Sequence, residues 1–537
     1  MKRRLFLHTP LLLTACAVWP KPTTLRLRAV LSDPITGRAH YLDNEGRRNP
    51  TLEWRRGERV QVLFENHLPQ PSSLHWHGLP VNAASDGGGW QEVLPGHTAK
   101  IEFLVDLPAG LYWYHPHPHG LTAEQTYAGL AGLIVVREAV EDLRSAETVV
   151  TATVSDVRMD RMDRMKGMHG VYVWGQGYLP YQPSTEDCLN GYLGNQVLLN
   201  GALPTLLSCR EYLRLRLCNT SNARIFLLAC QVDETFVPMQ VLGTDLGYVD
   251  GHGDMRDPPQ QAVFFAPGER LDLLLDLSAH VGKEWRLHSL PFAPREQHRT
   301  HVQTAHQSPW HTERHRRWPA LAGGQRCGAE QLAAARLPQG AALSILSGRV
   351  IRTEFRTESR ASSQTLKPTH SAPSTSPVSA VPAADLIRSP TSALAHLPVR
   401  RLALSLENGQ WLIDGGNYAT QMQQIRVRRN TREVWEIRST PVGMPHPMHW
   451  HHFGVRVLSR RASYGPAREL PRDEYGRLAT DKGLKDTLLI WPGETVSVLL
   501  DFTLPDTPEF SGTQQFMWHC HNLEHEDGMM MVALLVE

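Results

Sequence analysis

The chain has 537 residues, a formal net charge of +1, 41% hydrophobic and 20% charged residues. That balance fits an ordinary globular protein of three or four domains at roughly 150 residues each. It leaves no basic excess for nucleic acid, no apolar run reaches the ~18 residues of a membrane span, and 38 prolines with 41 glycines suit strands and turns better than helices.

In chain order, residues 1–23 read as an export signal. Met1-Lys2-Arg3-Arg4 precedes an apolar run from Leu5 to Val18 that His8 and Pro10 interrupt. Arg3-Arg4-Leu5-Phe6-Leu7 resembles a twin-arginine signal, with a plain basic leader as the alternative. Leu13-Thr14-Ala15-Cys16 matches a bacterial lipoprotein processing box, which makes Cys16 the expected lipidated residue and the cell envelope or periplasm the expected location. A first β-rich domain is expected over 24–137. Its marks are the Val- and Phe-rich run Arg59–Phe64, a strand at Ile101–Asp106 and a closing strand at Ala128–Val136.

A second domain is expected over 138–294. Within it Met159, Met162, Met165 and Met168 recur every three residues in a charged context. Thioethers select Cu(I), so these methionines are expected either to bind Cu(I) or to form a flexible gap-filling segment. From 295 to 396 the chain turns polar. His298, His301, His306, His311 and His315 lead into a Ser/Thr/Pro-rich tract, and the whole stretch reads as an insert or linker with little capacity to order itself. A third domain is expected over 397–537. Seven cysteines without a CxxC pair cannot all pair within the chain, and one disulfide among Cys209, Cys218 and Cys230 stands as an alternative to buried free thiols.

The chemistry concentrates near the C-terminus, in Trp518-His519-Cys520-His521-Asn522-Leu523-Glu524-His525 followed by Met529-Met530-Met531. A thiolate, imidazoles and a long axial thioether form the donor set of a blue-copper electron-transfer site. Cys520 and His525 supply two in-plane donors and Met530 the axial one, with Met529 and Met531 as alternatives. A third imidazole must come from elsewhere. His519 and His521 flank the cysteine, and alternation along a strand points them away from it, towards a second centre. Three further histidine groups lie upstream: His75-Trp76-His77-Gly78, His115-Pro116-His117 and His446-Pro447-Met448-His449-Trp450-His451.

These four motifs in this order resemble the multicopper oxidases, the family of laccases and bacterial cuprous oxidases. The resemblance implies an all-β fold of three cupredoxin-like Greek-key domains, in which Leu213–Asn219 and Phe265–Asp272 belong to a middle domain that spaces the other two. It implies four copper ions per chain. The type 1 copper would take His446, Cys520, His525 and Met530, the type 2 copper His75 and His449, and the type 3 pair His77, His115, His117, His451, His519 and His521. Asp86 and Glu526 match the family's proton-relay positions. His452 departs from the family pattern directly after a ligand motif, whereas His67 and His119 lie off ligand spacing.

The implied activity couples one-electron oxidation of Cu(I) or a phenolic reductant to four-electron reduction of dioxygen to water, in a chain that is monomeric as is usual in the family. Two other classes stand beside it. One is a non-catalytic copper-sequestration protein. The other is a structural protein on the same fold, against which the full ligand set argues.

Overall fold

The computed structural model describes residues 23–137, 147–160, 177–249, 258–294, 317–322, 328–352, 394, 396–421, 423–441, 443–462 and 466–537. Among the described residues strands dominate, in six sheets that form three pairs. One strand plan recurs in each pair. Thr23–Asp33 runs parallel to Arg59–Asn66 and antiparallel to Arg38–Leu42, and Thr98–Leu104 closes the other side of Arg59–Asn66. Glu147–Val157, Tyr212–Asn219, Gln196–Leu199 and Arg270–Asp276 repeat the arrangement. Val399–Glu407, Arg432–Ser439, Gln410–Ile413 and Glu494–Asp501 repeat it again. Parallel neighbours require a crossover to the second sheet, so each domain is a two-sheet sandwich of Greek-key type. The chain is all-β, as the resemblance implies.

Alternation sets which face is buried. Along Arg59–Asn66 the buried positions are Val60, Val62, Phe64 and Asn66, with half-buried residues between them. A strand whose side chains alternate faces turns that pattern into one core face. The first core gathers Leu27, Tyr41, Val62, Phe64, Trp76 and Tyr114. The third gathers Trp435, Trp450, Phe516, Trp518, Cys520 and Met530.

The second sheets differ in a way that corrects one expectation. In the first domain the last strand, Gly132–Arg137, pairs antiparallel with Gly110–His115 and parallel with Leu52–Arg55. In the third, Met531–Val536 pairs likewise with Gln514–Cys520 and Gln424–Val427. The corresponding strand of the second domain is Leu343–Val350, paired with Glu284–Ser289 and Leu207–Cys209. It lies inside the 295–396 stretch read as insert or linker, so the second domain closes near Val350 rather than at 294. A bulge between Leu287 and His288 shifts the register against Leu343–Val350 and obscures its alternation in the sequence. Within the same stretch Leu321 packs in the first domain's core, and Ala329–Ala334 is helical. The five insert histidines lie outside the described residues, as do Met162, Met165, Met168 and Cys16. Cys188, Cys209, Cys218, Cys230 and Cys520 are free thiols. Among the described residues no helix is long and apolar enough to cross a membrane.

Candidate metal centre

The histidine motifs of the first and third domains sit on short strands and in the loops that follow them, and they face each other across the two domains. His75–His77 pairs with Gly110–His115, setting His75 opposite His115. His446–Trp450 pairs with Gln514–Cys520, setting Met448 opposite Cys520 and His449 opposite His519. Because neighbours on a strand point to opposite faces, Cys520 turns into the third domain's core while His519 turns towards the first domain.

Two donor groups result. In the smaller, Cys520 Sγ lies 3.5 Å from Nδ1 of both His446 and His525. Met530 belongs to the same apolar core as Cys520, whereas Met529 and Met531 pack with Met517 against Trp90 and Tyr418. The Trp411 ring covers both imidazoles, at 4.6 Å from His446 and 4.9 Å from His525 between centroids. Nε2 of His525 donates to the Leu189 carbonyl at 2.9 Å, and Trp411 Nε1 donates to the same oxygen at 3.1 Å. Burial pushes the Cys520 thiol well above its ordinary pKa, so a metal must displace its proton on binding.

The larger group holds the other eight histidines, all buried. His75 stacks on His451 at 3.9 Å and His77 on His449 at 3.7 Å, each pair crossing from the first domain to the third. Nε2 of His519 lies 3.3 Å from that of His117 and 3.1 Å from that of His451. His521 completes the group beside His77 and His115, at 5.0 Å and 5.3 Å between ring centroids. The outward nitrogens are fixed by acceptors. Nδ1 of His75 donates to the Asp86 carbonyl at 2.8 Å, that of His115 to the Pro116 carbonyl at 2.9 Å, and that of His449 to the Asp486 carbonyl at 2.9 Å. Nδ1 of His451 donates to Asp86 Oδ2 at 2.7 Å. Their Nε2 lone pairs therefore face inward.

His77 is held the other way round, with Nε2 at 3.1 Å from Thr487 Oγ1 and 3.3 Å from Asp486 Oδ1. Nε2 of His75, His115 and His449 and Nδ1 of His77 are buried without a hydrogen-bond partner. Burial depresses the pKa of each ring, to about 3 for His75, His451 and His521, and neighbouring imidazoles add to it for His75 and His521. Neutral imidazoles with fixed tautomers and inward lone pairs are the donor chemistry of a transition-metal site. A soft group of one thiolate and two imidazoles beside an all-imidazole group fits copper.

The two carboxylates expected to handle protons touch this second group. Asp86 is buried against His75 and His451, and Glu526 lies 3.4 Å from His117 Nε2 and 3.3 Å from His519 Nδ1. Burial raises the pKa of both, and for Glu526 the neighbouring Asp527 and Glu524 add to the rise. His452 adopts φ +69°, donates Nδ1–H to the Val81 carbonyl at 2.9 Å and stacks on Phe516. It thus faces away from the cluster. His67 is exposed beside Glu65, and Met159 is half-buried in a bridge with Tyr178.

Sequence reasoning missed Trp411, Leu189, Asp486 and Thr487, none of which carries a motif; only the fold brings them to the histidines. It also missed Asp527, whose carboxylate oxygens accept the N–H groups of Thr122 and Ala123 at 3.0 Å each. A third-domain side chain therefore caps the first-domain helix Thr122–Ala128.

Two family models described as multicopper oxidase match residues 34–141 and 396–537, the segments that carry all four histidine motifs. The chain belongs to the multicopper oxidase family. This oxidase is 24% identical to multicopper oxidase mco of Staphylococcus haemolyticus, over 91% of this chain and 81% of that protein. It is also 24% identical to the bilirubin oxidase of Albifimbria verrucaria, over 93% of this chain and 73% of that one. The crystal structure of McoA multicopper oxidase from Aquifex aeolicus superposes with a TM-score of 0.67 at 23% identity, covering 96% and 97% of the two chains. That likeness establishes a shared fold.

Proposed function

We propose that this oxidase takes single electrons from Cu(I) or a phenolic reductant and delivers four of them, with four protons, to dioxygen to form two waters. The observation that supports it best is the pair of buried donor groups joined by consecutive residues. Cys520 belongs to one, and its chain neighbours His519 and His521 belong to the other. His446, Cys520, His525 and Met530 would hold a type 1 copper. His75 and His449 would hold a type 2 copper, and His77, His115, His117, His451, His519 and His521 a type 3 pair, four coppers in all. Bound there, the coppers would supply reversible one-electron chemistry at the first group and multi-electron oxygen chemistry at the second.

The protein's own residues do the rest. The backbone from His519 to His521 is a short covalent path between the two groups. Trp411 and Leu189 keep water off the imidazoles of the first group. Asp86 and Glu526, in contact with four of the cluster histidines, are placed to hold and hand on protons. A cavity of about 620 Å³ borders the helix Thr185–Asn190, lined by Arg158, Ser184, Asp187, Asn190, Arg336 and Met444. Asn190 follows Leu189, and Met444 lies two residues before His446, so a reductant docked there sits beside the first group.

The reading is tested by oxygen uptake of the copper-loaded protein with Cu(I) and then with a simple phenol. The Cys520→Ser variant and a variant replacing Met159, Met162, Met165 and Met168 are run alongside. Uptake that disappears in Cys520→Ser supports the oxidase, and selective loss of Cu(I) oxidation in the methionine variant makes that segment the substrate site. Full copper loading without oxygen uptake overturns the reading in favour of sequestration. The N-terminal motifs support an exported, envelope-located protein anchored through Cys16, and the family's usual form supports a monomer. Recovery of the full-length chain in the cytoplasm, or its release from membranes without detergent, would count against that.

A further inference from the structure

The middle domain contributes none of the ligands, and the sequence assigns it the role of a spacer. Its turn Ala266–Arg270 nevertheless reaches the larger histidine group. Gly268 adopts φ +83°, and a methyl group built on it would lie 3.0 Å from Cδ2 of His521 and 3.2 Å from Cε1 of His77. Two residues on, Arg270 is fully buried with all five guanidinium N–H donors engaged. Nε donates to the Leu111 carbonyl of the first domain at 3.3 Å. Nη1 donates to the Gly268 carbonyl at 2.7 Å and to Asp486 Oδ1 of the third domain at 2.8 Å. Nη2 donates to the Asp245 carbonyl at 2.9 Å and to Asp486 Oδ2.

The middle domain also grips the backbone of the same dipeptide. Asp245 Oδ2 accepts N–H bonds from Asp486 at 3.3 Å and Thr487 at 3.1 Å, and Lys485 Nζ lies 3.1 Å away. The first domain closes the contact through Gly78 at φ +89°, where a methyl group would lie 2.8 Å from both Arg270 Nη2 and Asp486 Oδ2. That explains the glycine after His75-Trp76-His77, because no side chain fits there.

Held in this way, Asp486 and Thr487 set the orientation of two rings that the proposed function makes copper ligands. The Asp486 carbonyl takes Nδ1–H of His449, leaving Nε2 inward. Asp486 Oδ1 and Thr487 Oγ1 take Nε2–H of His77, leaving Nδ1 inward, the reverse of its neighbours. Thr487 Oγ1 also donates to Asp486 Oδ1 at 2.9 Å, tying the two acceptors together.

We infer that Arg270 is a positioning residue for the type 2 and type 3 ligands His449 and His77, acting across domains through Asp486. The inference rests on the ligand roles proposed above. Arg270→Lys keeps the charge and loses the planar fork that meets both carboxylate oxygens. The full-length apo protein is titrated with Cu(II) alone, following total copper, the type 2 electron paramagnetic resonance signal and the blue absorption of the Cys520 site. Apo-protein melting is measured in parallel.

The expected result is type 2 copper affinity lowered about 10–100-fold, the usual effect of losing a group that orients a metal ligand, with the blue absorption close to wild type and the apo protein still folding cooperatively at a lowered melting point. Type 2 affinity equal to wild type overturns the inference. So does parallel loss of both signals, which makes Arg270 purely structural. Should Arg270→Lys fail to fold, Asp486→Asn weakens the grip of the Arg270 fork while keeping the backbone carbonyl that accepts from His449. Selective weakening of type 2 copper then supports the inference and an unchanged signal overturns it. Failure of the wild-type chain to bind copper is a different result and strikes at the proposed function itself.

Discussion

Gly268→Ala puts one methyl group between the middle domain and two cluster histidines, and its cost separates into two parts. The position has φ +83°, where an L-residue with a Cβ pays about 1–2 kcal/mol. The new carbon would also lie 3.0 Å from His521 and 3.2 Å from His77, inside the ~3.5–4.0 Å of favourable carbon contact. Overpacking a dense interior costs about 1–3 kcal/mol, so the total is about 2–5 kcal/mol. Gly282, in the same domain, has φ +85° and no atom within 4 Å of a built Cβ, so Gly282→Ala carries only the backbone part. Urea unfolding of the two apo variants should therefore differ by about 1–3 kcal/mol. Only Gly268→Ala should also retain copper less well on dialysis, because its methyl displaces ligand rings. Equal destabilisation with equal copper retention would refute the close approach of the middle domain to the cluster.

Three further outcomes follow from the same geometry. Asp86→Asn and Glu526→Gln should lower the oxygen-consumption rate by about 10²–10⁴, the range for a lost proton-transfer group, while copper content measured by atomic absorption stays at the wild-type value; unchanged rates would remove both from proton handling. Met530→Leu is close to volume-conserving and should cost under about 1.5 kcal/mol. It should keep the blue absorption and raise the reduction potential, whereas Met529→Leu should leave the potential alone, and the reverse pattern would reassign the axial ligand. Removal of copper by a chelator should lower the melting temperature, since metal held at 100 times its Kd stabilises by about 2.7 kcal/mol. Re-addition of copper should restore it, and a melting temperature indifferent to copper would mean that the histidine groups do not bind it in the native state.

Legibility in the sequence followed chain distance. Ligand motifs such as His75-Trp76-His77 and His519-Cys520-His521 are local, because a strand places neighbours on opposite faces whatever surrounds it. That local rule separated the two donor groups, and the four motifs in their order carried the resemblance that implied the family and the all-β class. The strand Leu343–Val350 escaped because a bulge breaks its alternation and a polar tract surrounds it. Met530 could be separated from Met529 and Met531 only when packing put it in the core with Cys520 and sent its neighbours towards Met517.

What only the tertiary structure decided is what holds the rings. Asp486 lies 409 positions after His77 in the chain and 216 after Arg270, and no spacing rule links the three. Their meeting depends on three sandwiches docking on one another. Hydrogen bonds that fix a tautomer need only the right acceptor at the right place, and any segment the fold delivers there can supply it.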